Sequence, residues 1–231
     1  TALSMVPAML HPLPKDILII GLGSGNTIWA AGGRPETEQL VNVEILGSQL
    51  KNLTDMHNLK PYAGVQTLLD DKRFQFVADD GRAWLMRSGQ KFDIIETDAL
   101  RPQSPHSGNL YSSEYFTLLK NHLKPGGYAV NWIPTGRTIQ TFRSVFPYTL
   151  NIGFWMFIGS DQPIQVDRAL ALARVKNPVT YDYYTRAGID PEKLLLSELD
   201  KIVDQPQERW TQPGLDINYD LFPKDEFEKP E

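Results

Sequence analysis

The chain has no cysteine, which removes disulfides, thiolate metal sites and a cysteine nucleophile at once. Histidine is scarce and scattered. His11, His57, His106 and His122 show no HxH or HxxxH spacing, so no metal centre is expected. Basic residues do not dominate either. There are 23 Lys and Arg against 28 Asp and Glu, for a formal net charge of −5. Without a basic stripe carrying interleaved aromatics, a nucleic-acid partner is not expected. No run of eighteen apolar residues occurs, so no segment reads as a membrane-spanning helix. The opening stretch lacks the basic start of a signal peptide. The sequence begins at Thr1 rather than methionine, as expected for a portion of something longer.

What is present is enough for a full core: 231 residues, 41 % of them apolar, the size of one large α/β domain or a domain with an appendage. Residues 16–20 (DILII) form a continuous apolar run ending in glycines, the pattern of a parallel strand buried on both faces. A helix is expected to start at 27–31, capped by Asn26 or Thr27. Further strands are expected at 40–45, 73–77, 92–98, 128–132 and 153–159. Helices are expected at 47–58, 82–87, 111–123, 138–146, 166–174 and 191–204, with 124–127 (KPGG) as a helix stop and turn. Strands alternating with helices predict a Rossmann-like, doubly wound, mostly parallel sheet with helices on both faces. This catalytic domain is expected over residues 1–160. A helical extension over 161–231 would pack on it and end in a frayed acidic tail from 222.

Candidate chemistry collects at the strand ends, where open parallel sheets bind ligands. Gly21, Gly23 and Gly25 form a GxGxG turn after the first strand, so the backbone can approach a ligand closely. The dinucleotide pattern GxGxxG would need a third glycine at Asn26, so an adenosyl sulfonium compound fits better than a dinucleotide; an ordinary tight turn is the plain alternative. Glu44 closes the second strand, where a carboxylate can accept both hydroxyls of a ribose. Asp80 follows the third strand, where an acid can accept from an adenine amino group and a backbone amide such as that of Gly81 can donate to a ring nitrogen; acid–glycine pairs are also common turns. Asp98 ends the fourth strand and is the expected catalytic residue, since a charge ending a buried strand is costly unless it has work to do. A loop or helix cap is the alternative reading of Asp98. The loop 102–111 is either a lid over the site or plain surface, and His106 is expected to be only a loop histidine.

The segments HPLPKDILIIGLGSG, VNVEI, RFQFVADDGRAWL, FDIIETDALRP and LYSSEYFTLLKNHLKPGG occur in an order that resembles the spermidine and spermine synthases, the aminopropyltransferases. The resemblance covers about residues 3–160 and is nearest to bacterial members whose synthase-like domain follows a membrane-embedded portion. It implies a class I methyltransferase-type fold. Gly21, Gly23 and Gly25 would line the nucleoside, Glu44 would hold the ribose and Asp80 the adenine, and Asp98 would face the amine and the sulfonium. The co-substrate implied is decarboxylated S-adenosylmethionine, with S-adenosylmethionine or methylthioadenosine as further ligands and no prosthetic group. The partners implied are a polyamine, a second copy of the chain in a homodimer, and a membrane region beyond this sequence, with the domain itself in the cytoplasm. Three departures stand out. Ser24 replaces the aspartate of the family's glycine turn, and Arg101 replaces an amine-binding acid. The family's N-terminal β-hairpin domain has no counterpart in the sequence. An S-adenosylmethionine-dependent methyltransferase, or a non-catalytic nucleoside-binding domain of a membrane protein, are the other readings.

Overall fold

The computed structural model describes residues 1–98, 104, 106–133, 135–204 and 214–227. The chain opens with helix α1 (Ala2–Leu10), then strand β1 (Asp16–Ile20), helix α2 (Asn26–Ala31) and strand β2 (Gln39–Glu44). Helices α3 (Gln49–Leu59) and α4 (Ala63–Asp70) lead to β3 (Phe74–Ala78), α5 (Gly81–Ser88) and β4 (Phe92–Thr97). A 3₁₀ turn at Gly108–Leu110 precedes α6 (Ser113–Asn121), β5 (Leu123–Trp132), α7 (Gly136–Val145), β6 (Tyr148–Ile152) and β7 (Met156–Ser160). Helices α8 (Arg168–Val175), α9 (Pro178–Thr185) and α10 (Pro191–Leu199), strand β8 (Ile202–Asp204) and the single turn α11 (Lys224–Phe227) complete it.

The strands form one eight-stranded sheet among the described residues, ordered β3-β2-β1-β4-β5-β7-β6-β8. β1 to β5 pair in parallel, while β7 runs antiparallel to β5 and to β6. The expected mostly parallel α/β sheet is therefore what forms. Alternate residues of each buried strand feed two separate cores. Ile17, Ile19 and Ile94 pack under α1 to α4 and α8 to α10. Leu18, Ile20 and Ile95 pack under α5, α6 and α7, with Tyr115, Phe116 and Phe142.

Several elements differ from expectation, each for a physical reason. Residues 124–127 do not stop a helix before a strand; they lie inside β5, whose pairing with β4 shifts register between Phe92 and Ile94 and absorbs the proline and glycines as an irregularity. The helix expected at 191–204 ends at Leu199, and its last residues instead add β8 to the free edge of β6. The aromatic run at 153–159 is half turn and half strand, because Gly153 and Phe154 both take positive φ and reverse the chain between β6 and β7. α1 carries no polar–apolar alternation, since Leu3 to Leu10 are buried on every side, and so gives no periodic signal. α4, β6 and α9 likewise lie outside the expected elements. The acidic tail is not frayed at 224–227. Asp225 is 2 % exposed and accepts bonds from Thr135, Thr138, Asn218 and Arg137. Residues 228–231 lie outside the described residues.

Segment 161–204 is packed firmly onto the sheet domain. The Tyr183 and Tyr184 hydroxyls donate to the carbonyls of Trp29 and Ala30 at 2.6 and 2.5 Å, tying α9 to the end of α2. Trp29 also stacks on Tyr183 at 5.3 Å. The described helices include none long and apolar enough to cross a membrane.

Candidate active site at the carboxyl ends of the strands

With β1 between β2 and β4, the glycine turn after β1 is flanked by Glu44 on one side and Asp98 on the other, and Asp80 follows β3 one strand beyond Glu44. The topology thus brings the sequence-predicted site residues to the carboxyl edge of the sheet, with the glycine turn and Asp98 at its switch point and Asp80 two strands away.

In the turn, Gly21 has φ +97° and a Cβ there would stand 2.7 Å from the Asp98 carbonyl oxygen. Only glycine lets the ends of β1 and β4 approach so closely. Gly25, at φ +77°, is the residue that precedes α2 as its N-cap, in place of the expected Asn26 or Thr27. The Gly23 carbonyl accepts from Gln49 Nε2 at 2.7 Å, anchoring the turn to α3. Thr27, freed from capping, donates its hydroxyl to Asp98 Oδ2 at 2.7 Å. The Asp98 amide donates to the Ile20 carbonyl at 3.1 Å, so the β1–β4 ladder runs right up to the site.

Glu44 joins the turn to the exit of β2. Its Oε2 accepts from the Leu22 amide at 2.7 Å and its Oε1 from the Leu46 amide at 2.8 Å. Each carboxylate oxygen keeps a further lone pair for a ligand hydroxyl. Beside it, a cavity of about 140 Å³ opens between the ends of β2 and β3, walled by Leu22, Leu46, Phe76 and Ala78. Asp80 caps α5, accepting the Ala83 amide at 2.7 Å through Oδ1. Gly81 lies against β1, where a Cβ would meet Ile20 Cγ2 at 2.4 Å.

Asp98 does not carry the buried charge that its place at a strand end suggests. Asp98 is exposed, so its charge carries no burial cost. The buried acid at this end of β4 is Glu96, two residues earlier. Glu96 is 1 % exposed, takes the Ser4 hydroxyl of α1 at 2.5 Å, and among the described residues leaves Oε1 without a partner. Burial pushes its carboxyl up to about 8. Sequence reasoning passed over it. The signal was there in FDIIETD, where two acids stand at i and i+2 at the end of the strand.

A second feature that sequence did not disclose is the segment 214–227, which reaches back over the site's neighbours. Asp220 makes a bidentate pair with Arg82, one residue after Gly81, at 2.8 and 2.5 Å, and accepts the Ser112 hydroxyl. Arg82 holds the Asp220 carboxyl below the usual carboxylate range. Glu226 accepts the amides of His106 and Gly108 at 2.9 and 3.2 Å. His106 is exposed, as a loop histidine would be. Arg101 and most of the first half of the 102–111 loop lie outside the described residues.

Residues 1–131 match the family model of the spermine/spermidine synthase domain. The chain is 30 % identical over 158 residues to the polyamine aminopropyltransferase of Escherichia fergusonii, covering 65 % of this chain and 52 % of that protein. It is 33 % identical over 152 residues to polyamine aminopropyltransferase 2 of Pseudomonas aeruginosa, covering 61 % of this chain and 42 % of that one. The chain thus spans about half the length of the curated relatives it matches. In fold it is similar to a spermidine synthase crystallised with the transition-state analogue AdoDATO, with a TM-score of 0.61 at 21 % identity over 80 % of this chain and 73 % of that one. It is also similar to human methyltransferase-like protein 13 in complex with SAH, with a TM-score of 0.55 at 17 % identity over 93 % and 92 %. Sequence order, sheet topology and the family match converge, and the chain belongs to the spermine/spermidine synthase domain family.

Proposed function

We propose that this domain transfers an aminopropyl group from decarboxylated S-adenosylmethionine to a polyamine amine. The observation that carries the reading is Asp98, exposed beside the glycine turn and oriented by Thr27, in a chain of this family. Gly21, Gly23 and Gly25 line the nucleoside, Glu44 takes the ribose hydroxyls, and Asp80 with the Gly81 amide meets the adenine. The amine lone pair attacks the aminopropyl carbon bonded to sulfur. The carbon–sulfur bond breaks, its electron pair returns to sulfur, and neutral methylthioadenosine leaves. The sulfonium is already a good leaving group, so the work of the protein is alignment and removal of the amine proton. Asp98 accepts that proton as the new carbon–nitrogen bond forms and passes it to solvent. The same reading carries a cytoplasmic site for the domain and a homodimer, the latter checked by sedimentation equilibrium.

The test pairs binding with turnover. Calorimetry with decarboxylated and intact S-adenosylmethionine is expected to favour the decarboxylated form, and putrescine or spermidine to yield the aminopropylated product. Asp98→Asn is expected to lower turnover by about 10²- to 10⁴-fold while nucleoside affinity stays within a few-fold. Equal affinity for both sulfonium compounds, without product from either amine, overturns the proposal.

A further inference from the structure

We propose that a cavity at the opposite edge of the sheet, between the end of α2 and the start of α9, is a binding site for a compact oxyanion of the phosphate class. Arg34 lies in the connection from α2 to β2, so it sits at the amino ends of the strands, away from the glycine turn. The cavity is about 240 Å³ and is lined by Arg34, Glu36, Arg174, Asn177 and Thr180, among others.

The two arginines are fixed by the last carbonyls of α1 and the turn after it. Arg34 donates through Nη1 to the carbonyls of Ala8 and His11 at 2.9 and 3.2 Å, and through Nη2 to that of Pro12 at 3.5 Å. Arg174 donates through Nη1 to the carbonyls of Met9 and Leu10 at 2.5 and 3.1 Å, and through Nη2 to that of Pro12 at 3.3 Å. Each guanidinium has five N–H donors. Among the described residues these bonds leave Arg174 Nε and one N–H on each Nη2 without an acceptor.

Charge points the same way. Glu36 pairs with Arg34 at 2.9 Å, through Nε, and offsets that cation. Arg174 has no carboxylate partner among the described residues, and burial together with Arg34 lowers its pKa. His11, beside both, is held neutral by burial, which pulls it down to about 4. With Glu36 offsetting one of the two guanidiniums, the residues that line the cavity carry a net positive charge, partly countered by Asp167 nearby.

The second, independent observation is Thr180. It is fully buried in the first turn of α9, it lines the cavity, and its hydroxyl has no partner among the described residues. Donors from two guanidiniums and a hydroxyl, with a residual positive charge, call for a ligand that only accepts. A tetrahedral oxyanion presents oxygens in several directions at once, and the volume also admits the carbon group of a phosphate monoester.

The test uses the full chain, with thermal midpoints followed against inorganic phosphate, glycerol 3-phosphate, acetate and chloride at constant ionic strength. Inorganic phosphate or the monoester is expected to raise the midpoint saturably, the stronger of the two identifying the source, while chloride and acetate do not. Arg174→Gln is expected to abolish the response. Because that residue also supports α1, Thr180→Val serves as the second variant: it keeps shape and fold, and is expected to weaken phosphate affinity by roughly tenfold, the worth of one charge-assisted hydrogen bond. A response to acetate or chloride equal to that for phosphate, or wild-type affinity in both variants, overturns the proposal.

Discussion

Glu96 near the end of β4 and Asp98 just past it are two residues apart, yet their surroundings give them opposite behaviour. Asp98 meets solvent and the Thr27 hydroxyl, whereas Glu96 is enclosed under α1. With its folded pKa near 8 against 4.5 when unfolded, Glu96 keeps a proton that the unfolded chain releases. Stability is then highest below the unfolded value and falls as pH rises from about 5 to 8, by about 1.4 kcal/mol for each unit of raised pKa. Glu96→Gln mimics the protonated acid, so its urea midpoint is expected to lack this decline and to exceed the wild-type midpoint at pH 8. Parallel curves for the two proteins would show that Glu96 is ionised in the fold. Thr27 gives a complementary experiment. Thr27→Val removes the bond that orients Asp98, and kcat is expected to fall by about tenfold, in line with loss of a hydrogen bond to a charged group. An unchanged KM for the sulfonium substrate would separate orientation of Asp98 from damage to the nucleoside site.

At the scale of elements, α5 is held from both sides. Gly81 lets it lie against β1, and the Arg82–Asp220 pair ties its first turn to the segment 214–227. Gly81→Ala places a methyl on Ile20, and such overpacking costs about 1–3 kcal/mol; chemical denaturation would register it together with weaker nucleoside binding. The same segment buries Asp225 among Arg137, Thr135, Thr138 and Asn218. Asp225→Ala leaves the buried Thr135 and Thr138 hydroxyls and the Asn218 amide without their shared acceptor, while Arg137 keeps Asp216, and is expected to destabilise the protein by about 1–3 kcal/mol. A loss under 1 kcal/mol would mean that this end of the chain detaches readily. None of these anchors can be read from the local sequence, because partners such as Thr135 and Asp225 are 90 positions apart.

For the whole molecule, β8 extends the sheet and α9 is bonded to α2, so residues beyond 160 share the core of those before it. A single cooperative urea transition is expected, with fluorescence and far-ultraviolet circular dichroism coinciding. Two separated transitions would instead mark residues 161–231 as an independent unit.

The mostly parallel sheet, and the placement of Gly21, Glu44, Asp80 and Asp98 at its carboxyl ends, were legible in the sequence because they rest on local rules. Strands buried on both faces read as apolar runs, and ligand-facing residues fall at their carboxyl ends. What the sequence could not convey depends on partners distant in the chain. Burial on all sides hid α1, and a shifted register turned a KPGG stop into part of β5. Glu96 shows the limit most directly. Its identity is plain in FDIIETD, but its protonation is decided by Ser4 and the core above it, since desolvation is a property of packing and not of the residue.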